Sequence, residues 1–227
     1  MGTKKKTRKS TVKSTGRHVV VTAGPTREPI DPVRYLSNES SGRMGFEIAA
    51  AAARQGDKVT LIAGPVHQET PPGVRRVDVE TAREMLKEAR DAFREADCLI
   101  MCAAVADWRP KKRHRAKWRK EKEGGDEAVI ELVKNPDILA TLAKRKGERM
   151  VIGFALETGA GLARARAKME RKNTDYIVLN DASALGSTRT SVTILGRDGS
   201  RMDVRDKTKR DVAEALVRLE KPAPVSA

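Results

Sequence analysis

The chain has 227 residues, of which 39% are hydrophobic and 34% are charged, and its formal net charge is +15. That size and composition suit one α/β domain, or one domain with an extension. No apolar run is long enough to span a membrane, and the basic N-terminus lacks the apolar segment of a secretory signal, so we expect a cytoplasmic protein.

The positive charge is concentrated in two segments. Residues 1–17 hold seven Lys or Arg and no acidic residue, and residues 109–122 (RPKKRHRAKWRKEK) hold nine with a single Glu. These segments account for the whole net charge, so the remainder of the chain is neutral. Residues 1–16 contain almost nothing apolar and cannot offset the entropy of ordering, which predicts a disordered basic tail.

The first half of the chain alternates predicted strands with helices. Runs rich in β-branched and apolar residues predict strands at 18–24, 58–64, 74–81 and 98–107. Residues 24–41 hold three prolines and are predicted to form a long loop. Ser40 or Ser41 is expected to cap the helix that runs to Gly56, and Thr81 is expected to cap the next helix.

The cysteines Cys98 and Cys102 both lie in the predicted strand 98–107. Their spacing puts them on one face of the strand but too far apart for an easy disulfide, and no His is near enough to complete a zinc site. We therefore expect two small buried residues of a core strand.

The second half continues the alternation and ends in a hairpin. Further strands are predicted at 128–135, 149–158 and 175–181. Asn135 and Pro136 are expected to be the N-cap and first helical residue of the helix through DILATLAKRKG, and AGLARARAKMERKN predicts another helix. A hairpin is predicted over 191–205 around Asp198-Gly199, and Thr208 is expected to cap a closing helix.

This alternation predicts an α/β fold, a Rossmann-like three-layer sandwich whose mostly parallel sheet carries a C-terminal antiparallel hairpin. We expect one domain over residues 17–221, with a basic flap at 109–126 and a short tail at 222–227. Ligands of such sheets bind beyond the carboxyl ends of the strands. The informative positions are therefore Gly24, Gly64, Ala103 to Asp107, Phe154 to Thr158, and Asn180-Asp181.

The stretch SNESSGRMG (37–45) lies where such a fold binds anions, between the first strand and its helix. Free backbone N–H groups at a helix start attract phosphate, and Gly42 and Gly45 remove side chains where a ligand would approach. Ser40 and Ser41 add hydroxyl donors. The alternative is an ordinary capped helix with glycines for close packing, and this stretch alone does not decide between the two.

Five stretches follow one another along the chain, each at a strand end or a helix start: TAGPTREPIDPVRYLSNESSGRMG, AAVADWRP, VKNPDIL, GFALET and AKMERKNTDYIVLND. Together they resemble the phosphopantothenoylcysteine synthetase family (phosphopantothenate–cysteine ligases), in its stand-alone bacterial form. The resemblance covers roughly residues 18–220. It implies a role in coenzyme A biosynthesis. 4′-Phosphopantothenate reacts with a nucleoside triphosphate to form an acyl-nucleotide, which cysteine converts to 4′-phosphopantothenoylcysteine. The expected nucleotide is CTP, with ATP as the alternative. Mg²⁺ is implied as the partner of the triphosphate.

The resemblance also implies residue roles. The implied catalytic residues are Asn38, Lys168 and Arg34. The implied nucleotide-binding residues are Gly24, Ser40, Ser41, Gly42, Gly45, Phe154, Lys168, Lys172 and Asn180. The implied substrate-binding residues are Asn38, Ala103, Ala104 and Asp107. Without the resemblance, either lysine reads as a solvated surface lysine, and Asn38 as a loop residue bonded to its own backbone.

Two segments depart from the family pattern. Leu185 stands where the bacterial pattern has an aromatic residue near the base, which leaves the choice between CTP and ATP open. The flap, which in the family covers a partner subunit's site, is unusually rich in Arg and carries Trp108 and Trp118. The resemblance therefore also implies a homodimer.

Two other functions compete with the ligase. A Rossmann-like oxidoreductase would need G-x-G-x-x-G after the first strand, where the chain has TAGPTREP instead. A nucleic-acid-binding protein would explain the tail and KKRHRAKWRK, but neither SNESSGRMG nor VKNPDIL. We therefore expect nucleic acid to bind at most non-specifically, through the tail.

Overall fold

The structure is a computed structural model that describes residues 16–119, 128–157, 161–181 and 189–222. Residues 1–15 of the predicted tail, residues 120–126 of the predicted flap, residues 223–227 and Leu185 lie outside the described residues.

An eight-stranded sheet forms the centre of the described structure. Its strands are β1 (His18–Ala23), β4 (Lys58–Ala63), β5 (Val74–Asp78), β6 (Cys98–Met101), β9 (Met150–Glu157), β10 (Tyr176–Asp181), β11 (Arg189–Gly196) and β12 (Arg201–Thr208). Their order is β12-β11-β10-β9-β6-β1-β4-β5. Along this order, all neighbouring strands from β10 to the β5 edge are parallel. At the other edge, β11 and β12 add an antiparallel hairpin. This confirms the predicted fold class.

Helices cover both faces of the sheet and make it a three-layer structure. The described helices are α1 (Arg43–Arg54), α2 (Ala82–Phe93), α3 (Ile138–Ala143), α4 (Gly161–Lys172) and α5 (Lys209–Val217). Side chains of α1 and α5 share one buried cluster with β1, and side chains of α2 and α3 share another on the opposite face. The β-branched run of β1 is fully buried because it meets both clusters.

Two small hairpins lie outside the main sheet. The predicted loop 24–41 contains β2 (Arg27–Pro29) paired with β3 (Tyr35–Ser37). The predicted strand 128–135 is reduced to β8 (Leu132–Lys134), which pairs with β7 (Trp108–Pro110).

The predicted caps of α2 and α5 are confirmed, because Thr81 with Glu84 and Thr208 with Asp211 form capping boxes. The cap prediction for α1 was wrong. Gly42 is its N-cap residue, with φ 73° and no side-chain cap, and its N–H donates to Ser40 Oγ over 3.4 Å. Neither Ser40 nor Ser41 therefore caps this helix.

The predicted start of α3 was also wrong. Asp137 is its N-cap, and its Oδ1 accepts a hydrogen bond from Ala140 N over 3.0 Å. Asn135 instead donates from Nδ2 to Ala106 O over 2.8 Å. An asparagine amide can bind a neighbouring loop as readily as it can cap a helix, and here it binds the loop.

The predicted strand 98–107 ends early, at Met101. Beyond that point backbone N–H groups bond to threonine side chains of β1 and of the loop after it: Ala103 N donates to Thr22 Oγ1, and Ala106 N donates to Thr26 Oγ1. Both cysteines are free, with Cys98 buried in the strand and Cys102 half-buried just beyond it. Burial raises the pKa of both thiols to about 12.

Candidate functional site

A cleft of about 460 Å³ opens at the carboxyl edge of the sheet, beyond β6 and β9. Four segments line it: the 103–107 loop with Trp108, the connection 134–137 with the start of α3, Phe154 on β9, and α4. This is the edge where ligands of parallel α/β sheets bind. Five of the predicted site residues line it: Ala103, Asp107, Phe154, Lys168 and Lys172.

The two lysines of α4 reach into the cleft from one helical face, four residues apart. Lys168 Nζ donates to Phe154 O over 2.8 Å, so its ammonium is held at the end of β9. Lys172 forms an ion pair with Asp137 at the start of α3. Burial lowers the pKa of Lys172, and the nearby carboxylate of Asp107 counteracts this shift.

The connection between β8 and α3 supplies cleft residues that the sequence does not identify as site residues. These are Lys134, Asn135, Pro136 and Asp137. Asn135 is fixed at both ends, since its N–H donates to Asp107 O over 2.8 Å and its Oδ1 accepts from Arg109 Nη1 over 3.2 Å. The signal is VKNPDIL, a stretch at the carboxyl edge of the sheet, but an asparagine before a proline is also typical of a helix cap.

The glycines of the SNESSGRMG turn lie against the end of β1. Gly24 and Gly42 both have positive φ, and a Cβ on Gly42 would come within 3.2 Å of Gly24 N. A Cβ on Gly45 would lie 2.5 Å from the Ala23 Cβ. Close packing thus explains Gly45, and backbone conformation explains Gly42. Their binding of phosphate stays a prediction, as it does for Ser40 and Ser41.

Asn38 connects this turn to the loop that lines the cleft. Its Nδ2 donates to Ala104 O over 3.2 Å, and Ala104 N donates to Gly24 O over 2.9 Å. Asn38, Ala104 and Gly24 are therefore neighbours, and Ala103, next in the chain, faces the cleft. The exposed side chain of Asn38 is bonded across the loop rather than to its own backbone.

Arg34 and Asn180 do not line the cleft. Arg34 is bound to Asp31 and to the Trp118 carbonyl. Asn180 Oδ1 accepts from Thr190 Oγ1 over 3.0 Å, between β10 and β11. Their predicted contacts with substrate and nucleotide stay predictions.

The described residues contain no group of three or more His, Cys, Asp or Glu arranged to hold a metal ion. Asp107 and Asp137 are the acidic side chains that line the cleft, and Asp137 is already bonded to Lys172 and to the α3 backbone. None of the helices described is long and apolar enough to cross a membrane.

The chain matches, over residues 14–221, the family model of the DNA/pantothenate metabolism flavoprotein C-terminal domain. It is 48% identical over 190 residues to the coenzyme A biosynthesis bifunctional protein CoaBC of Escherichia coli (strain K12). That match covers 82% of this chain and 47% of the relative, so the chain spans about half the length of this relative.

Solved structures show the same likeness. The crystal structure of the C-terminal domain of a coenzyme A biosynthesis bifunctional protein CoaBC superposes with a TM-score of 0.78 at 38% identity, over 90% of this chain and 94% of that one. The DNA/pantothenate metabolism flavoprotein from Streptococcus pneumoniae gives a TM-score of 0.77 over 88% and 96%. At 23% identity, the second likeness shows a shared fold.

Proposed function

The chain belongs to the family of the DNA/pantothenate metabolism flavoprotein C-terminal domain, and on this basis we propose that it is a phosphopantothenate–cysteine ligase. The proposed product is 4′-phosphopantothenoylcysteine. It is formed in coenzyme A biosynthesis, the process that appears in the name of the CoaBC relatives. The observation that carries the proposal is the juxtaposition, at one sheet edge, of Lys168 and Lys172 in the cleft with Asn38 beside it. An oxidoreductase or a nucleic-acid-binding protein would leave this arrangement unexplained.

The proposed reaction has two steps. The carboxylate of 4′-phosphopantothenate attacks the α-phosphorus of a nucleoside triphosphate, the bond to pyrophosphate breaks, and an acyl-nucleotide forms. The amine of cysteine then attacks the acyl carbon, and the nucleoside monophosphate leaves. The first step brings two anions together and the second releases an anion, so fixed cations and N–H donors must offset the charge that develops.

The residues of the cleft suit these demands. The Lys168 ammonium has three donors, so it can keep its bond to Phe154 O and still donate to a phosphate oxygen. The free N–H groups at the start of α1 suit the phosphate chain, together with Gly24, Ser40 and Ser41. Asn38 stands between that turn and the 103–107 loop, where its amide can donate to an acyl oxygen.

CTP as the preferred nucleotide, with ATP as the alternative, and Mg²⁺ as the metal are part of this proposal. The carboxylate of Asp107 in the cleft suits a magnesium ion that takes most of its ligands from phosphates and water. A cytoplasmic location is proposed with the same function.

The test is to incubate the protein with phosphopantothenate, cysteine, Mg²⁺ and either CTP or ATP, and to measure pyrophosphate and amide product. We expect pyrophosphate release that requires phosphopantothenate, and a nucleoside monophosphate as the second product. Release without phosphopantothenate, or a nucleoside diphosphate as product, would contradict the proposal.

We predict that Asn38→Asp separates the two steps. A carboxylate at this position cannot donate to the acyl oxygen, whereas the cations and the α1 start that serve the first step are unchanged. The acyl-nucleotide should accumulate and be detected by mass spectrometry after acid quenching. Equal loss of pyrophosphate release and amide formation would assign Asn38 to substrate binding instead.

We also propose a homodimer formed through the two small hairpins. Large apolar side chains are exposed there: Val33 and Tyr35 near β3, Trp108 on β7, and Val129 and Leu132 at β8. The two hairpins contact each other through β2 and β7, and exposed apolar side chains gathered in this way mark interaction sites.

We predict that Leu132→Glu shifts the protein to the monomer in sedimentation experiments and lowers ligase activity. Met202→Glu, on the β12 edge with similar exposure, is the control and should leave the dimer intact. A wild-type protein that is monomeric and fully active would rule the dimer out.

A further inference from the structure

Asp31, in the turn between β2 and β3, is 2% exposed and accepts hydrogen bonds from five donors. Its Oδ1 accepts from the backbone N–H groups of Val33 and Arg34, each over 2.7 Å. Its Oδ2 accepts from Arg34 Nε over 2.9 Å, Arg34 Nη2 over 2.5 Å and Trp118 N over 3.1 Å. One oxygen thus closes the local turn, and the other joins it to Trp118, 87 residues further along the chain.

The contacts of Oδ2 are reinforced by the groups that they bring together. Arg34 Nη2 also donates to Trp118 O over 2.6 Å, and the guanidinium carbon lies 5.6 Å from the centre of the Trp118 ring. His114 stacks on Trp118 with ring centres 5.4 Å apart, and His114 N donates to Ile30 O over 2.8 Å. The basic segment 109–119 is therefore fixed to the β2–β3 turn at two backbone positions.

Charge explains why a carboxylate stands at this junction. The segment 109–119 contains seven Lys or Arg, so an acidic group is needed where it docks. Burial alone would raise the pKa of Asp31, but the hydrogen bonds from the Arg34 side chain and from the N–H groups of Val33, Trp118 and Arg34 hold it well below its usual value. The carboxylate is therefore ionised throughout the physiological range.

We propose that Asp31 is a positioning residue for the ligase reaction: its Oδ2 fixes the Arg34 guanidinium and the basic segment 109–119 as one unit. The proposal rests on the proposed function and on the catalytic role that the family resemblance implies for Arg34, which we assign to an anionic group of phosphopantothenate. Asp31 and Trp118 engage Nε and Nη2, and no described residue accepts a hydrogen bond from Nη1. A long side chain that is already held loses less entropy when Nη1 meets an anion.

Asp31→Asn separates this role from closure of the turn. The amide oxygen can keep the Oδ1 position and accept from Val33 N and Arg34 N, whereas the NH₂ group cannot accept from Arg34 or Trp118. The control is Asp91→Asn, which removes the carboxylate of an exposed i,i+3 pair with Arg94. Arg34→Gln and the double variant complete a cycle that measures whether Asp31 acts through Arg34.

Two readouts are needed, and the first is independent of activity. In a Trp108→Phe background Trp118 is the sole tryptophan, and its quenching by acrylamide should increase at least about twofold in Asp31→Asn and not in Asp91→Asn. In kinetics, Asp31→Asn should raise KM for phosphopantothenate about tenfold or more, the size expected for losing hydrogen bonds to a charged group, with a smaller change in KM for the nucleotide. In the Arg34→Gln background, Asp31→Asn should raise KM for phosphopantothenate by less than about twofold.

Unchanged Trp118 quenching, or equal effects of Asp31→Asn with and without Arg34, would overturn the proposal. If Asp31→Asn does not fold, Arg34→Gln carries the test, because it removes the guanidinium that joins Asp31 Oδ2 to Trp118 O and should also increase the quenching of Trp118. If the wild-type protein releases no pyrophosphate, the proposed function fails and the assignment to that reaction fails with it. The quenching result then still decides whether Asp31 anchors the basic segment.

Discussion

Lys168→Gln is expected to slow formation of the acyl-nucleotide by about 10²- to 10³-fold, the usual cost of losing one donor that stabilises transition-state charge. The structure supports this size because the ammonium is already fixed at the end of β9 by Phe154 O. Glutamine keeps a hydrogen-bond donor of similar length but carries no charge. Single-turnover release of pyrophosphate is the appropriate measurement, since it reports the first step alone.

Two neighbours on α4 serve as comparisons. Lys172→Gln should cost less, because the Lys172 ammonium is already paired with Asp137 and offers less unbalanced charge. Arg171→Gln removes a positive charge from the exposed face of the same helix and should leave the rate within about twofold. A Lys168 variant with near-normal rate would show that the Lys168 ammonium does not stabilise the transition state, and the phosphate-binding group would then be another residue of the cleft.

The fold was predictable from the sequence because its strongest signals are local. The apolar run of β1 is buried on both sheet faces, and Thr81 and Thr208 stand three residues before an acidic partner, as a capping box requires. The failed predictions concern groups whose partners are distant in sequence. Asn135 looks like a cap until the 103–107 loop is placed beside it, and Gly42 replaces the expected serine because the backbone there has positive φ.

The candidate site was predictable where it coincides with strand ends and a family pattern. Ala103, Asp107, Phe154, Lys168 and Lys172 converge on one cleft because parallel strands present their carboxyl ends at one edge. The bonds of Asp31 could not be foreseen in the same way. They join the β2–β3 turn to Trp118, 87 residues further along, and neither segment predicts the other.

A second large effect is expected far from the cleft, at the buried ion pair between Lys146 and Asp175. Lys146 Nζ lies 2.5 Å from Asp175 Oδ1, and the two side chains are 9% and 4% exposed. Asp175 Oδ2 also accepts from Val151 N over 2.8 Å, so one carboxylate joins α3's end, β9 and β10. Asp175→Asn should lower the free energy of unfolding by about 3–5 kcal/mol, because it leaves a buried ammonium without its counter-charge.

Urea unfolding measures this loss, and pH tests its cause. Burial lowers the pKa of Lys146, and the bond to Asp175 counteracts part of that shift. Without the carboxylate, the pKa of Lys146 in the folded state should fall further below the ordinary lysine value of about 10.4. At pH values between the folded-state pKa and that ordinary value, the unfolded chain binds more protons than the folded chain, so stability rises with pH. The deficit of Asp175→Asn should therefore shrink as the pH is raised into the alkaline range.

The companion variant Lys146→Met should not recover in this way, because the group left unpaired is then a carboxylate that stays ionised at high pH. Lys87→Ala, which removes an exposed pair with Glu88, is the control and should lower the free energy of unfolding far less than Asp175→Asn at any pH. If Asp175→Asn behaves like this control, the buried pair contributes no more than a surface pair. The close association of α3 with β9 and β10 would then depend on apolar contacts such as those of Leu139 and Ile177 with Gly153.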